Sequence, residues 1–367
     1  MTEHNCLESI NSIYVEKTKE GYLDQPCCLW KEHGNIPTVK NINDLLTSKR
    51  IKNIQEGFKG DWKRPECEDC VLTEKSGKVS KRQYSLRRDT DKITVWDIRP
   101  ENTCNLKCVM CNPWNSSKWL EDIDLYLKHN GGKTDPKEID RTKKECQKRI
   151  RNELDWDWIL ERCVNTAKQI YIAGGEPFYM KSVYNFLEKL SQQKWNRQNT
   201  RIEIQTNGVS NTDKFLSILK KFDNLLFSIS VDGWGSVNEL IRFPTKHEVF
   251  VSNVEQLTKL TDRFSFNITV QALNLPNVDK TVKKLSRWGD CSMHKLWTPN
   301  YLDINCLRPV VIKEVAKNTE LPQIQEYIKD YKYNDNLRNK MLNYLKELDK
   351  ARGTNSEKVL PWCYRMF

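Results

Sequence analysis

The 367-residue chain contains no run of 18 consecutive apolar residues, which excludes a membrane-spanning helix on sequence grounds. Its opening stretch, Met1–Tyr14, lacks the basic-then-apolar order of a secretion signal. There is no internal repeat and no low-complexity linker, so solenoids and tethered domain arrays are excluded. What the chain does carry in quantity is cysteine, 13 in all. An odd count without an export pattern argues against a disulfide scaffold and for a reducing, cytoplasmic setting. The thiols are then left for metal ligation, catalysis or packing.

Charge sets the next bound. Lys+Arg 60 against Asp+Glu 49 gives +11, which suits an acidic partner such as nucleic acid. The basic residues are spread along the chain, however, and a lysine-rich solvated surface accounts for them without any such partner. The length suits two domains or one large barrel with an appendage, and a hydrophobic fraction of 38% is ample for a core.

Three regions differ in texture. Residues 1–91 read as a small, irregular, cysteine-bearing unit, with Cys6, Cys27, Cys28, Cys67 and Cys70. Residues 92–307 alternate short β-branched runs with amphipathic stretches. The expected strands are Ile93–Arg99, Gln169–Ala173, Arg201–Thr206, Leu225–Val231, Ser265–Ala272 and Lys295–Trp297. The expected helices are Trp114–Lys128, Ile139–Cys163, Lys181–Gln193, Asp213–Phe222, Glu248–Leu260 and Val278–Trp288. Such alternation predicts βαβ units and a parallel sheet, here a partial (β/α)6 TIM-like barrel. Residues 308–367 read as a helical extension ending in an aromatic tail, Pro361-Trp362-Cys363-Tyr364, able to dock on the core.

In such folds chemistry collects where strands end. The residues after the expected strands follow that rule. Cys104-Asn-Leu-Lys-Cys108-Val-Met-Cys111 comes after the first and Gly174-Gly175-Glu176-Pro177 after the second. Thr206-Asn207-Gly208 closes the third, and Ser230-Val231-Asp232-Gly233 the fourth. Thiolates select zinc or iron–sulfur clusters. A structural zinc site wants four ligands, whereas this loop supplies three and no neighbouring histidine. Three thiolates suit a [4Fe–4S] cluster with one iron left open.

C-x3-C-x2-C after the first strand, with G-G-E-P after the second, resembles the radical S-adenosylmethionine (SAM) superfamily. The resemblance implies that Cys104, Cys108 and Cys111 hold a [4Fe–4S] cluster whose open iron binds SAM. Reductive cleavage then yields a 5′-deoxyadenosyl radical that abstracts a substrate hydrogen. It further implies that Gly174, Gly175 and Glu176 meet the methionine amino group and that Met110 lies against adenine. Ser230 and Arg242 would hold the ribose and the methionine carboxylate, a group that arginine binds bidentately. Asn207 is a SAM-site candidate that also reads as a plain turn residue. Gln205 and Gln271 are expected to point into the barrel.

The pieces "PCC", "GNI", "IKNIQEGF" and "PECEDC", followed by Glu74, resemble the SPASM/twitch branch of that superfamily, as does the tail "LDKARGT". The cysteine-rich subdomain of that branch usually follows the barrel; here its counterpart precedes it. The resemblance implies a second, auxiliary [4Fe–4S] cluster held by Cys6, one of Cys27 and Cys28, Cys67 and Cys70. A zinc ribbon is the alternative, because a C-x2-C knuckle is generic. Cys291, Cys306 or Cys363 could replace one ligand, while Cys146 and Cys163 read as packing residues. The insertion at about residues 130–163 could form a lid. Trp297, Asn300, Tyr301, Asp303 and Asn305 fall where the barrel mouth should be. The implied substrate is a peptide or protein side chain, with an external electron donor such as flavodoxin or ferredoxin. A nucleic-acid base or a small metabolite is the second choice of substrate. A non-catalytic zinc- or cluster-bearing protein that binds nucleic acid is the reading from a different class.

Overall fold

The structure is a computed structural model and describes residues 6–31, 36–75, 77, 79–87, 92–151, 153–195, 198–296 and 298–364. Trp297, and Gly34 and Asn35 of the Gly-Asn-Ile piece, lie outside the described residues.

A seven-stranded parallel sheet organises the chain. Its strands are β1 (Ser12–Glu16), β2 (Val95–Arg99), β3 (Gln169–Ile172), β4 (Arg201–Thr206), β5 (Leu225–Ser230), β6 (Phe264–Val270) and β7 (Asp290–Lys295). They lie side by side in chain order with helices in the connections, the mixed α/β pattern of a TIM-like fold. Strands β2 to β6 are those expected from the sequence. The first was not expected: Ser-Ile-Tyr-Val-Glu is only five residues long inside a stretch that otherwise reads as irregular, yet all five are buried.

Two compact units share this sheet. The first comprises Met1–Asn102, Lys148–Thr206 and Asn211–Phe227; the second comprises Thr103–Gln147, Asn207–Ser210 and Ser228–Phe367. In the first unit the strand register aligns side chains into two faces. Ile13, Trp96, Ile170 and Ile202 face one way, as do Val15, Ile98, Ile172 and Ile204. All eight are buried, forming the apolar side that helices cover. Asp97, Tyr171 and Glu203 share the opposite face. That face is polar and internally bonded: Arg99 donates to both Asp97 oxygens (2.7 and 3.3 Å), Gln169 to Glu203 (2.7 Å) and Tyr171 to Gln205 (2.8 Å). In the second unit Phe264, Phe266, Ile268 and Val270 of β6 are buried, and the alternate residue Asn267 donates to Ser228 (2.7 Å).

Two boundaries differ from expectation for physical reasons. The single helix expected over Ile139–Cys163 is two, Pro136–Arg151 and Trp156–Thr166. Asp155 makes the break, because its carboxylate caps the second helix by accepting from the Trp158 amide at 3.0 Å. The last strand lies at Asp290–Lys295 rather than Lys295–Trp297. Only Met293 of it is buried, so this edge strand carries little apolar signal. Cys146 and Cys163 are fully buried, as packing residues would be. In the second unit the tail docks as expected, with the Trp362 indole donating to the Ala272 carbonyl (3.2 Å).

Candidate functional site

The three-cysteine loop follows β2 and lies in the second unit. It is short and polar, so its backbone groups need partners from elsewhere. The Lys107 amide donates to Phe243 (2.8 Å) and the Val109 amide to Ile241 (2.7 Å). The Cys104 amide donates to the Ser117 hydroxyl (3.1 Å). The Cys108 carbonyl accepts from the Trp119 indole (3.0 Å), and the Val109 carbonyl accepts from the Tyr344 hydroxyl (2.9 Å). Leu106 and Val109 are buried and anchor the loop between its cysteines. The Leu106 amide points at Cys104 Sγ (3.4 Å), as backbone donors do toward a thiolate.

Two arginines charge this loop. Arg242 donates to Asp232 at 2.7 Å, and Asp232 also accepts from the Thr269 amide at 2.8 Å. Burial raises the Cys108 thiol above its ordinary value, while Arg242 and Arg352 pull the other way. Burial also pushes up the Cys111 thiol, with Cys108 and Cys104 adding to the shift. Among the described residues, no three His, Cys, Asp or Glu side chains converge tightly enough for a single metal ion. A cubane asks for something else, because each thiolate binds a different iron and the sulfurs need not meet at a point. Three thiols on one pinned loop beside buried cations are a donor set of that kind.

The other expected SAM-site residues are placed as follows. Gly174 has φ +137°, and a Cβ there would come within 2.9 Å of the Glu101 carbonyl. The Gly175 amide donates to that same carbonyl (3.0 Å). Glycine is therefore required at 174 by its backbone conformation and the close backbone approach. Glu176 is fully buried and accepts from the Phe178 amide (3.2 Å) and the Thr206 hydroxyl (2.7 Å). In the second unit the Asn207 side chain donates to Asn105 of the cysteine loop (2.7 Å), so Asn207 braces that loop. Met110 and Ser230 are half-buried. Gln271 continues the polar phase of β6 and is fully buried, with neither amide atom partnered among the described residues. Of the expected mouth residues, Tyr301 packs on Tyr344 (5.1 Å between ring centres), and the side-chain amide oxygen of Asn305 accepts from the Lys332 amide (2.6 Å). The brace at Asn105, the Asp232 pairing, and Trp119, Tyr344 and Arg352 were not expected from the sequence. The "LDKARGT" tail, which holds Arg352, was the one available signal.

The N-terminal cysteines belong to the first unit. Cys6, Cys27, Cys67 and Cys70 line one cavity together with Trp30, Phe58 and Trp62. Cys28 faces elsewhere: its sulfur accepts from the Lys81 ammonium (3.0 Å), which also reaches Glu8 (3.0 Å) and Asp97 (3.6 Å). Of the adjacent cysteines, Cys27 lines this cavity. Glu74 does not join the thiols; it takes both oxygens to Arg82, at 2.8 Å each. Arg82 lies 3.9 Å over the Trp62 ring. Burial pushes the Cys6 thiol up to about 11 and Cys67 to about 12, with the other thiols of the set adding to both. The whole cavity has a volume of about 20 Å³, roughly room for one water.

The sequence pattern of the Radical SAM superfamily matches residues 98–285, just over half of the chain. The chain belongs to the radical SAM superfamily. No curated protein sequence matches it. Among solved structures, this radical SAM chain is similar to native anSMEcpe with bound AdoMet and Cp18Cys peptide, at 18% identity and TM-score 0.37, over 71% of this chain and 60% of that one. It is also similar to Streptococcus suis SuiB bound to precursor peptide SuiA, at 14% identity and TM-score 0.38, over 90% and 59%. A third is TYW1 with a lysine-pyruvate adduct bound, at 14% identity and TM-score 0.30, over 65% and 72%. The chain spans about six tenths of the length of the anSMEcpe and SuiB structures. Among the described residues, no helix is long and apolar enough to cross a membrane.

Proposed function

We propose that this radical SAM chain is an enzyme that cleaves SAM reductively and takes a hydrogen atom from a peptide or protein side chain. The observation that carries the reading is the family match over residues 98–285, which begins in β2 and includes the Cys104/Cys108/Cys111 loop. When bound, a [4Fe–4S] cluster on these thiolates would supply the electron and the open iron for SAM. The chain's own residues do the rest. Gly174 and Gly175 allow close backbone approach, and the buried carboxylate of Glu176 complements an ammonium. Arg242 keeps guanidinium donors beyond the one given to Asp232 for a carboxylate. Asn207, Trp119 and Tyr344 hold the loop still, which preserves geometry at the reacting atoms.

Cys6, Cys27, Cys67 and Cys70 are proposed as the ligands of an auxiliary cluster that accepts an electron or binds substrate. The alternative is one tetrahedral zinc ion in the same four-thiol site, for which the thiols would have to draw closer together than they stand. Anaerobic reconstitution separates the two. Two cubanes give about eight irons per chain, whereas zinc at the N-terminal site leaves about four irons and one zinc. Formation of 5′-deoxyadenosine under dithionite tests the whole reading. Colourless protein that binds only zinc and leaves SAM intact would overturn it.

A further inference from the structure

The helix Asp335–Arg352 closes the second unit and ends on Arg352. The side chain of that arginine is only 1% exposed. Its Nε donates to Asp122 at 3.0 Å, while Nη1 and Nη2 have no hydrogen-bond partner among the described residues. The guanidinium carbon lies 4.8 Å from the ring centre of Trp119 and 5.3 Å from that of Phe243. These two residues are themselves fastened to the cysteine loop, Trp119 to the Cys108 carbonyl and Phe243 to the Lys107 amide. The arginine is thus wedged behind the loop by the residues that position it.

The local charges do not balance. Asp122 is shared, since Lys107 also donates to it at 2.7 Å. Two buried cations therefore divide one buried carboxylate, and the other acid that pairs with Lys107, Glu121, is 50% exposed at 3.3 Å. A buried, half-paired guanidinium is expensive unless an anion lies close by. Three thiolates on an iron–sulfur core are such an anion, and Cys108 is the member of the loop whose thiol feels Arg352.

We propose that Arg352 is the fixed counter-charge of the cluster held by Cys104, Cys108 and Cys111, and that it sets how readily that cluster accepts an electron. The inference rests on the function proposed above. Adding an electron increases the negative charge, and a fixed cation in a low-dielectric surrounding favours that change. No bond forms or breaks; the electron comes from dithionite and stays on the cluster. Arg352 is a positioning and tuning residue in this scheme, because it acts through the loop rather than on SAM.

The test is a redox titration of the anaerobically reconstituted full-length protein without SAM, followed by electron paramagnetic resonance. The relevant signal is the one missing from Cys108→Ala. With Arg352→Gln the midpoint should move to lower potential. With Arg352→Lys, which restores the charge, it should return most of the way. With Asp122→Asn, which removes the compensating anion, it should move to higher potential. Wild-type midpoints in both Arg352→Gln and Asp122→Asn, with iron loaded, would overturn the inference. If Arg352→Gln fails to load, Asp122→Asn alone decides, by a rise or by no change. A wild-type protein that loads no iron at this loop sinks the proposed function and the inference together. A loaded wild type with an immobile potential sinks only the role of Arg352.

Discussion

The two cysteine sites of this chain are built in opposite ways. The loop in the second unit gathers three thiols within eight residues and borrows its rigidity from the backbone of Ile241–Phe243 and the side chains of Trp119 and Tyr344. The cavity in the first unit gathers four thiols from segments as far apart as Cys6 and Cys70, around a small aromatic core of Trp30 and Phe58. The ring centres of that pair are 6.2 Å apart, edge to face. Arg242 and Arg352 act on the thiols of the loop, whereas the thiols of the cavity share their walls with the rings of Trp30, Phe58 and Trp62 as well as with Lys81 and Arg82. The loop is prepared for a charged group that must change oxidation state. A metal held in the cavity as proposed would supply part of the stability of that unit, as in other small metal-bound units.

The sharpest break in this comparison is loss of a single ligand. Cys108→Ala should remove all iron from the loop and bring 5′-deoxyadenosine formation down to background. Cys67→Ala or Cys70→Ala should remove the metal of the cavity yet leave SAM cleavage measurable, uncoupled from product. Metal analysis beside a chromatographic assay of 5′-deoxyadenosine checks both. If the Cys67 variant lost SAM cleavage as completely as the Cys108 variant, the two sites would not be functionally separable.

The next largest effect concerns packing. Phe58 is 2% exposed and Trp30 8%. Truncating either to alanine should destabilise the first unit by about 3–5 kcal/mol, read by thermal melting of the metal-free protein. Behind the loop, Tyr344→Phe removes the hydroxyl bond to Val109 and should destabilise the second unit by about 1 kcal/mol. Gly174→Ala falls between them, at about 1–3 kcal/mol, because the new Cβ meets the Glu101 carbonyl in a left-handed backbone region. Its restoration by Gly174→Asn would show that φ matters more than the close approach.

How far this could be read from the sequence depends on how local each signal is. The C-x3-C-x2-C spacing and the strand-end motifs are local, and β2 to β6 lie where their β-branched runs predict. The strand β1 is five residues in an irregular stretch, and β7 is an edge with one buried residue, so neither has enough periodicity to stand out. The choice between Cys27 and Cys28 is invisible in sequence, since it turns on Lys81 drawing one sulfur toward Asp97. The charge behind the loop is equally hidden: Arg352 is 244 residues from Cys108, and only folding brings the helix Asp335–Arg352 behind it. The packing of Tyr301 on Tyr344 joins residues 43 apart and is likewise hidden in the sequence.

The last effect appears only in alkali and tests the character of the cavity most directly. The thiols of Cys6 and Cys67 rise from 9.0 to about 11 and about 12, first through burial and then through neighbouring acids and thiols. In the unfolded chain they ionise at the ordinary value, so between those limits the unfolded state has released protons that the folded state keeps. Stability then falls as pH rises. The contribution is fully present below pH 9 and is lost progressively as pH passes through about 11 and about 12. Metal-free protein should therefore melt earlier above pH 9, and Cys6→Ser with Cys67→Ser should flatten that slope. Metal binding reverses the sense, because ligation needs thiolates and releases protons. Loading of the cavity should grow easier with pH over the range in which the metal-free unit grows weaker. A melting curve of the metal-free protein that is flat from pH 8 to pH 11 would mean that the cavity thiols meet water in the folded state, and the contrast with the loop would then rest on ligand spacing alone.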